Sequence, residues 1–535
     1  MPATVLSAAT HGIDAYAVAV EVDTDRQLPT FTVVGLPDGA VRESKERVIA
    51  AIRNSGFEWP RRRVTVNLAP ADRRKEGSGF DLAIAVGILV ASQQMRPERV
   101  VDFVLLGELS LGGQLRPVRG MLPMALSLHG NGVYGMVVPR ENAREAAMAA
   151  GPLVYAVCTL HEAVELLEGS VRLRPVSVDI ADVFQRHAGH DVDFADVRGQ
   201  QHAKRALEVA AAGGHNLLMI GPPGSGKTML ARRVPTILPD LTVAEALATT
   251  RIHSVAGLLS PARPLVAARP FRAPHHTISD AGLIGGGPYP RPGEVSLAHH
   301  GVLFLDELPE FHQHVLDALR QPLEDRAVTI TRSQTTLTYP AEFMLIAAMN
   351  PCPCGYLGDP GHECRCSPLA VQRYHSRLSG PLLDRMDIHV EVPALRYADL
   401  AGGAPVESSV RIRARVNAAR ARQLARFADT PGVFCNARMT SPQARQHCRL
   451  DGACQVLLER AMGQLGLSAR AYDRILRLAR TLADLEEAEA IRPEHVAEAI
   501  QYRALDRSSP GGIPTPPPPV VPASAAAADR GDCPP

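Results

Sequence analysis

The sequence has almost no net charge, because 57 Lys and Arg are balanced by 56 Asp and Glu, which gives a formal charge of +1. This balance neither indicates nor excludes a nucleic-acid partner, since only the local distribution of charge is informative. No uncharged apolar run is long enough to cross a membrane, and the first residues place no basic stretch ahead of an apolar segment. We therefore predict a cytoplasmic protein without a membrane partner.

A disulfide framework is not indicated either. The nine cysteines are an odd number in a chain of 535 residues without a signal peptide. A chain of this length is too long for one core and predicts about three domains. Its hydrophobic fraction of 46% and charged fraction of 21% are typical of a globular protein.

The most informative stretch is an apolar run, Leu217 to Ile220, followed by a glycine-rich loop and then a helical pattern. The loop fits the phosphate-binding pattern G-x-x-x-x-G-K-[ST] in full, through Gly221, Pro222, Pro223, Gly224, Ser225, Gly226, Lys227 and Thr228. Glycines let backbone N–H groups turn inward around phosphates, Lys227 would reach the β- and γ-phosphates, and Thr228 would hold Mg²⁺. A chance glycine turn is the alternative, but strand, loop and helix follow in the expected order. The loop predicts ATP and Mg²⁺ as ligands.

Two further apolar runs end in polar residues. Gly301 to Leu305 leads into Asp306, which would hold Mg²⁺ through water, and Glu307, which would polarise the attacking water. Such a run is a weak signal alone, but downstream of a phosphate loop it indicates a Walker B motif. Phe343 to Met349 leads into Asn350, either a residue that orients the hydrolytic water or a strand-terminating turn residue.

The first 172 residues alternate between strand and helix patterns. The stretches that resemble the proteolytic domain of Lon proteases are Pro70 to Ala83, Gly107 to Gly113 and Pro117 to Gly120. The resemblance implies a ribosomal-S5-like fold. By alignment, the catalytic Ser and Lys of Lon fall at Gly79 and Leu122, and although Ser78 is adjacent, no lysine lies near Leu122. A serine without a base is a poor nucleophile, so a non-proteolytic relative is expected.

Two basic clusters and one predicted hairpin each allow two interpretations. The clusters Arg61 to Arg63 and Arg73 to Lys75 are typical of a solvated face, but they would also suit contact with phosphates. The stretch Ala327 to Tyr339 predicts a β-hairpin with Arg332 near its tip. Such a hairpin either enters the channel of a ring or lies on an ordinary surface.

Longer motifs resemble the YifB/ComM group of magnesium-chelatase-like AAA+ proteins, over about residues 1 to 505. They are Arg269 to Asp280, Gly285 to Gly287, Pro292 to Ala298 and Asn350 to Gly355. The resemblance implies a hexameric ring with nucleotide between subunits, and Asn350 as the sensor 1 residue. An insertion carrying His275 and His276 would project from the ring. The two histidines could be metal ligands, but polar filler or a nucleic-acid contact is the commoner role.

The resemblance also assigns roles to arginines. Arg385 would be the arginine finger that reaches a neighbour's ATP, with Arg377 as the second candidate. A surface ion pair with Asp384 or Asp387 is the alternative for Arg385. Arg470 would be the sensor 2 residue of the lid, in contact with the γ-phosphate. Further along the chain from Glu407, five arginines, at positions 411, 413, 415, 420 and 422, predict a basic helix.

The predicted fold class is α/β, with three domains, a linker and a tail. It comprises a Lon-like domain at 1–172, a linker at 173–193, an AAA+ core with a parallel sheet at 194–397, an α-helical lid at 405–505, and a disordered Pro- and Ala-rich tail at 506–535.

Four cysteines lie in two close pairs, and these are Cys352, Cys354, Cys364 and Cys366. Four thiolates suit tetrahedral Zn²⁺, although one intervening residue within each pair is fewer than a finger pair usually has. Bound zinc and reduced thiols facing solvent remain the two interpretations.

The function expected from these features is an ATP-hydrolysing ring motor that acts on single-stranded or branched DNA. The family resemblance implies a helicase that promotes branch migration when single-stranded DNA is integrated during natural transformation. One alternative is the ATPase subunit that drives magnesium insertion into a tetrapyrrole, although chelatase motors do not usually carry a Lon-like domain. A protein remodeller is the other alternative, and the missing Ser–Lys pair disfavours a protease.

Overall fold

The computed structural model describes residues 2–130, 132–187, 189, 191–287, 290–332, 335–395, 406–430 and 432–503. The predicted tail at 506–535 and the tip of the predicted hairpin lie outside these residues. Within the described ranges, no helix is long and apolar enough to cross a bilayer.

The amino-terminal part of the chain builds a seven-stranded sheet in the order β3-β4-β2-β1-β5-β8-β9. Strand β2 runs antiparallel to β1 and β4, whereas the other neighbours in the sheet are parallel. The strands of this region, including the separate β6–β7 hairpin, are β1 (Ala3–His11), β2 (Asp14–Asp25), β3 (Phe31–Val34), β4 (Arg63–Ala69), β5 (Phe103–Leu105), β6 (Glu108–Leu109), β7 (Leu115–Arg116), β8 (Gly135–Pro139) and β9 (Leu153–Val157).

Five helices pack on this sheet: α1 (Gly39–Asn54), α2 (Asp81–Ala91), α3 (Met121–Ser127), α4 (Ala143–Ala147) and α5 (Leu160–Glu168). Helix α2 is apolar on all sides and lies in the interior, as expected for a helix with no polar face. It approaches β2 so closely that a Cβ on Gly87 would lie 2.6 Å from Val22 Cγ2. Glycine at this position therefore allows the helix to seat against the sheet.

The segment expected to be a linker contains a helix, α6 (Ile180–His187). Val176, Val178 and Ile180 pack against an apolar cluster that includes Met121 and Leu122. The same cluster contains Leu241, Ala246, Leu265 and Ala267, which belong to the part of the chain after the linker. The segment is therefore packed rather than extended, and the two α/β regions share one apolar core.

The second α/β region contains a five-stranded sheet in the order β11-β14-β17-β10-β18, in which all neighbours are parallel. Strands β12–β13 and β15–β16 form separate hairpins. The strands are β10 (Leu217–Ile220), β11 (Phe271–Arg272), β12 (Gly285–Gly286), β13 (Arg291–Pro292), β14 (Val302–Leu305), β15 (Ala327–Arg332), β16 (Thr335–Pro340), β17 (Met344–Met349) and β18 (Ile388–Glu391).

The helices of this region are α7 (Gln201–Gly213), α8 (Lys227–Arg233), α9 (Val243–Ala256), α10 (Asp280–Leu283), α11 (Glu294–Leu297), α12 (Gln313–Ala318), α13 (Arg320–Asp325), α14 (Pro368–His375) and α15 (Gly380–Leu383). Because the sheet is parallel, residues that follow β10, β14 and β17 meet at its carboxyl edge. This is where nucleotide-binding loops of open α/β sheets lie.

The chain ends in a helical region formed by α16 (Ser409–Arg426), α17 (Ser441–His447), α18 (Gly452–Leu465), α19 (Ala469–Leu485) and α20 (Pro493–Gln501). These helices share a core with one face of the second sheet, in which Val416 and Leu478 pack with Leu217 and Ile346. The predicted α/β class with a parallel sheet is confirmed. The Lon-like and lid assignments stay predictions.

Candidate functional site

The phosphate loop connects β10 to α8 at the carboxyl edge of the second sheet. Gly224 and Gly226 have φ of 75° and 91°, in the left-handed region that glycine adopts without strain. A Cβ on Gly221 would lie 2.0 Å from the carbonyl oxygen of Val392, so this position also requires glycine. The sequence therefore folds into an open loop whose backbone leads directly into the first turn of α8, an arrangement that suits a bound phosphate.

Lys227 lies inside this loop with 8% of its surface exposed. Its ammonium group donates to the carbonyl oxygens of Gly221 at 2.7 Å and Pro222 at 2.9 Å, and to Asn350 Oδ1 at 3.2 Å. Burial lowers the pKa of Lys227, and the nearby charge of Asp306 opposes that shift. The contact with Asn350 brings the predicted sensor 1 residue to the predicted phosphate-binding lysine.

Thr228 and Asp306, the predicted magnesium ligands, are in contact. The Thr228 hydroxyl donates to Asp306 Oδ2 at 2.6 Å. Asp306 immediately follows β14, which is buried along its whole length. A hydroxyl and a carboxylate side by side are oxygen donors of the type that Mg²⁺ prefers, and they lie beside the phosphate-binding lysine. The residues present therefore fit ATP with Mg²⁺.

The carboxylate of Glu307 is paired with a histidine rather than free. His276 Nδ1 lies 3.2 Å from Glu307 Oε2, and the ring of His275 packs on that of His276 with centroids 4.1 Å apart. Glu307 itself has a left-handed φ of 53°. The predicted catalytic carboxylate and the two histidines therefore form one group, which the sequence did not indicate.

Arg385 and Arg470 lie at the other edge of the second sheet. Asp387 and Asn216 precede β18 and β10, and the Asp387 N–H donates to the Asn216 carbonyl at 2.9 Å. Asn216 Nδ2 donates to the carbonyl oxygen of Arg385 at 3.0 Å, which fixes Arg385 at the amino ends of these strands. The phosphate loop follows the carboxyl end of β10, four residues or about 13 Å away.

A cavity of about 230 Å³ opens at this amino edge. We call it the arginine cavity, because its lining includes Arg385, Arg438, Arg470, Arg474 and Arg477. Two carboxylates also line it: Glu324, which pairs with Arg385, and Asp387, which lies 3.4 Å from Arg474 Nε. Arginines therefore outnumber carboxylates among the lining residues, although Arg438 also pairs with Glu342 and Arg470 with Asp384.

Asp387 stabilises this edge of the sheet. Burial alone would raise the pKa of Asp387, but the hydrogen bond from His215 and the charges of Arg474 and Arg503 hold it well below its usual range. A buried carboxylate among cations remains ionised through neutral pH.

The predicted arginine finger and sensor 2 residue are neighbours. Arg470 is 69% exposed and its Nη1 lies 3.5 Å from Asp384 Oδ2, next to Arg385 in the chain. The ion pair that the sequence offered for Arg385 therefore forms instead between Asp384 and Arg470. Arg377, the second candidate for the finger, contacts Glu310 at 3.1 Å and lies near the turn after Glu307. The structure thus separates the two finger candidates.

Part of the arginine cavity follows from helical spacing. Arg470, Arg474 and Arg477 are spaced i, i+4 and i+7 along α19, and such positions share one helical face. Arg438 comes from a separate turn, and only the tertiary fold brings it to the cavity.

The two basic clusters differ in how exposed their side chains are, and therefore in whether they could contact a nucleic acid. Arg61 to Arg63 are exposed at the start of β4. Lys75, in contrast, is fully buried and its ammonium group donates to the backbone carbonyls of Pro70 and Arg73. The phosphate-contact interpretation is therefore wrong for Lys75, because its charge is turned into the fold.

Helix α16 is basic, as predicted, but several of its arginines bind acidic residues. Arg413 pairs with Asp240, Arg415 with Glu208 and Glu407, and Arg422 with Glu487. These ion pairs connect α16 to other parts of the fold. The charges of Arg413, Arg415 and Arg422 are therefore compensated within the fold.

The four predicted metal-ligating cysteines converge. Sγ of Cys352 lies 3.3 Å from Cys354 and 3.6 Å from Cys364, and all four sulfur atoms lie within 4.8 Å of one another. Each of the four thiols is free. The loop that carries them begins two residues after Asn350.

The first α/β region keeps Ser78 without a lysine partner. The Ser78 hydroxyl donates to the Glu108 carboxylate. At the positions aligned with the Lon pair, Gly79 and Leu122 carry no reactive group. Over 149 residues, a quarter of the chain, the sequence is 34% identical to Lon protease 2 of Bacillus subtilis, covering 26% of that protein.

Three family models match successive parts of the chain. That of the magnesium chelatase subunit ChlI covers residues 193–400, a ChlI subunit model covers 20–142, and the ChlI C-terminal model covers 406–503. The chain is 44% identical to competence protein ComM of Haemophilus influenzae, over 94% of this chain and 98% of ComM. It is also 44% identical to the uncharacterized protein YifB of Escherichia coli, over 93% and 96%. The chain therefore belongs to the YifB/ComM family of magnesium-chelatase-like AAA+ ATPases.

Proposed function

We propose that the protein is an ATP-driven ring motor that acts on single-stranded or branched DNA and promotes branch migration. The observation that carries the proposal is that two groups of candidate nucleotide-binding residues lie at opposite edges of one sheet. The phosphate loop, with Asp306 and Asn350, occupies the carboxyl edge, and the arginine cavity occupies the amino edge. Family membership supports the ATPase part of the proposal and implies ATP with Mg²⁺.

At the carboxyl edge, this chain's own groups would bind and orient the nucleotide. Lys227 would exchange its backbone carbonyl partners for phosphate oxygens, which are stronger acceptors. Thr228 and Asp306 would hold Mg²⁺, which when bound neutralises phosphate charge. Asn350 and Glu307 would position the attacking water, and Glu307 would take its proton. For Glu307 to face the water, its contact with His276 would have to open.

Arg385 and Arg470 would act on the nucleotide of a neighbouring subunit. Both lie at the edge opposite the phosphate loop of their own chain, so neither is placed to reach its own nucleotide. A guanidinium that enters a neighbour's site would stabilise charge on the transferring phosphoryl group. This division of the site supports a homo-oligomer, for which we propose a hexameric ring closed by repetition of one head-to-tail interface.

DNA is the proposed partner because a relative of nearly full length is named a competence protein. Exposed Arg61 to Arg63 and the β15–β16 hairpin provide surfaces that would contact a phosphate backbone. We also propose that residues 1–172 form a non-proteolytic Lon-like domain and that the helices from Ser409 form the AAA+ lid. Ser78 bound to Glu108 argues against proteolysis, because a carboxylate partner is no substitute for the Lys base.

The test is the rate of ATP hydrolysis with no DNA and with single-stranded, forked and branched DNA, using Lys227→Ala as the blank. We expect stimulation by DNA that disappears in the variant, followed by strand exchange on branched substrates. A rate that DNA does not change, together with no DNA retained on gels at low salt, would contradict a DNA motor. Protein-unfolding and tetrapyrrole-metalation assays would then separate the remodeller from the chelatase-type ATPase.

A further inference from the structure

Directly after the predicted sensor 1 residue, the chain forms a compact loop that carries the four cysteines. Cys352 is fully buried, and the other three are partly exposed. The sulfur atoms of Cys352, Cys354 and Cys364 lie 3.3, 3.6 and 3.6 Å from one another. Sulfurs bound to one tetrahedral Zn²⁺ at about 2.3 Å lie about 3.8 Å apart, whereas a disulfide needs about 2.05 Å. The observed separations, all within 4.8 Å, are too long for a disulfide and close enough for the four sulfurs to share one metal ion.

Backbone N–H groups also contact the sulfur atoms. The N–H groups of Tyr356 and Arg365 donate to Cys354 Sγ, and that of Cys366 donates to Cys364. Each thiol would release its proton when it binds Zn²⁺.

The loop contacts the nucleotide site on its inner side. Gly355 has a left-handed φ of 88°, and a Cβ there would lie 2.6 Å from Pro223 Cδ, in the phosphate loop. The same Cβ would lie 3.8 Å from Asn350 Cγ. The cysteine loop therefore packs against both Pro223 and the side chain that contacts Lys227.

Helix α14 closes the loop from its other end, beginning two residues after Cys366. His375, at its last turn, lies 3.0 Å from the Pro351 carbonyl oxygen through Nε2. The hydroxyl of Tyr374 accepts from the Asn350 N–H. Asn350 is thus positioned by the two ends of one segment, and the four cysteines join those ends.

We propose that Cys352, Cys354, Cys364 and Cys366 bind one Zn²⁺, which holds this segment against the phosphate loop and so positions Asn350. The four cysteines have a structural role and touch no reacting atom. The proposal does not depend on DNA, on the ring or on the arginine cavity.

The first test is the metal content of the full-length protein, purified with a reductant and without chelator, by inductively coupled plasma mass spectrometry. We expect one Zn²⁺ per chain, and less than a tenth of that in the double variant Cys364→Ser/Cys366→Ser. His362→Ala is the matched control. His362 lies in the same loop but binds Asp359 at 3.1 Å and stacks on Tyr356, so its loss should leave the zinc in place.

Because the double variant could fail to fold, the unmodified protein is also examined with Co²⁺ in place of Zn²⁺. Tetrahedral thiolate ligation gives intense d–d bands and a sulfur-to-cobalt charge-transfer band, and neither requires a variant. An unmodified protein with no zinc and no such spectrum, or one whose four thiols are recovered as two disulfides, would overturn the proposal. So would a folded double variant that retains its zinc.

The second test separates positioning from mere stability. In the folded double variant, or in protein stripped of zinc, we expect the affinity for a fluorescent ATP analogue to fall by on the order of tenfold, as for one lost charge-assisted hydrogen bond. Zinc added back to stripped protein should restore it. Full nucleotide affinity without zinc would show that the metal does not position Asn350.

Discussion

The two edges of the second sheet differ in how their charges are satisfied. At the carboxyl edge, the Lys227 ammonium contacts two backbone carbonyls and Asn350, and Thr228 donates to Asp306. At the amino edge, five arginines line a cavity with two carboxylates. Among the described residues, Nε of Arg385 and Nε of Arg477 are buried without a hydrogen-bond partner. The side chains of one edge contact one another within the chain, and at the other edge arginines outnumber carboxylates.

The difference indicates that the two edges serve different molecules. At the carboxyl edge the side chains are already held together, and Lys227 would exchange its backbone carbonyl partners for phosphate oxygens when a nucleotide binds. At the amino edge, in contrast, five guanidinium groups converge on one cavity, where they could bind an anion. The phosphate groups held by a neighbouring chain are the anion that the proposed ring supplies.

The largest effect is expected from Arg385→Ala. Hydrolysis should fall by about 10³-fold or more, the contribution of an arginine finger, while ATP binding is retained. The measurement is steady-state ATPase activity beside equilibrium binding of a nucleotide analogue. Arg377→Ala is the control, because that arginine pairs with Glu310 away from the cavity.

Mixing two inactive proteins tests whether the site is shared. Lys227→Ala keeps the arginine cavity and Arg385→Ala keeps the phosphate loop, so mixed rings would contain some complete sites. We expect the mixture to regain part of the activity that both lack alone. A mixture as inactive as its components, with assembly verified by light scattering, would place the arginine and the loop in one chain's site.

Asp387→Asn should destabilise the amino edge by about 3–5 kcal/mol, because the Arg474 and Arg503 guanidinium groups would lose the buried carboxylate that faces them. The folded pKa of Asp387 is depressed, so its stabilising effect is fully present above the unfolded pKa of about 3.9 and declines as pH falls below it. The measurement is thermal unfolding of the unmodified protein and of the variant between about pH 3 and about pH 8. The difference between their melting temperatures should narrow only at the acid end of this range. A constant difference would contradict the ion-pair explanation.

The smallest effect is expected from His276→Ala, which releases the exposed Glu307 carboxylate. An exposed ion pair is worth up to about 1 kcal/mol, so the rate without DNA should rise by no more than about fivefold. His275→Ala, which leaves the contact between His276 and Glu307 in place, is the matched control. A lower rate in His276→Ala alone would mean that the histidine assists Glu307 instead of restraining it.

Much of the carboxyl edge could be predicted from sequence because its motifs are local. The strand Leu217 to Ile220, the glycine loop and the helix from Lys227 are consecutive, and their geometry follows from residue type. Asp306 and Asn350 follow buried strands, and parallel pairing brings strand ends together at one edge. The contact between Asn350 and Lys227 needed only that rule.

The amino edge could not be predicted because its geometry is set by distant segments. The family resemblance assigned Arg470 to the γ-phosphate, but only the contacts of α19 with Met386 and Asp387, just before β18, show that it lies with Arg385. The pairing of His276 with Glu307 joins two loops with no shared motif. The helix at 180–187 was missed because its polar residues resemble those of a linker.

The apolar cluster shared by the two α/β regions has a consequence for mechanics. Helix α9 contributes Ala246 to the cluster that contains Met121 and Leu122, and Ser254 of α9 donates to Glu145. Arg251 of the same helix binds Asp14. A displacement of α9 would be transmitted to the amino-terminal region, so that region would move together with the nucleotide-binding region. By the same reasoning, a truncated chain that begins after residue 193 would expose the buried side of α9 to water. We expect such a chain to be insoluble because it lacks half of the shared apolar core, and this result would not bear on ATP hydrolysis.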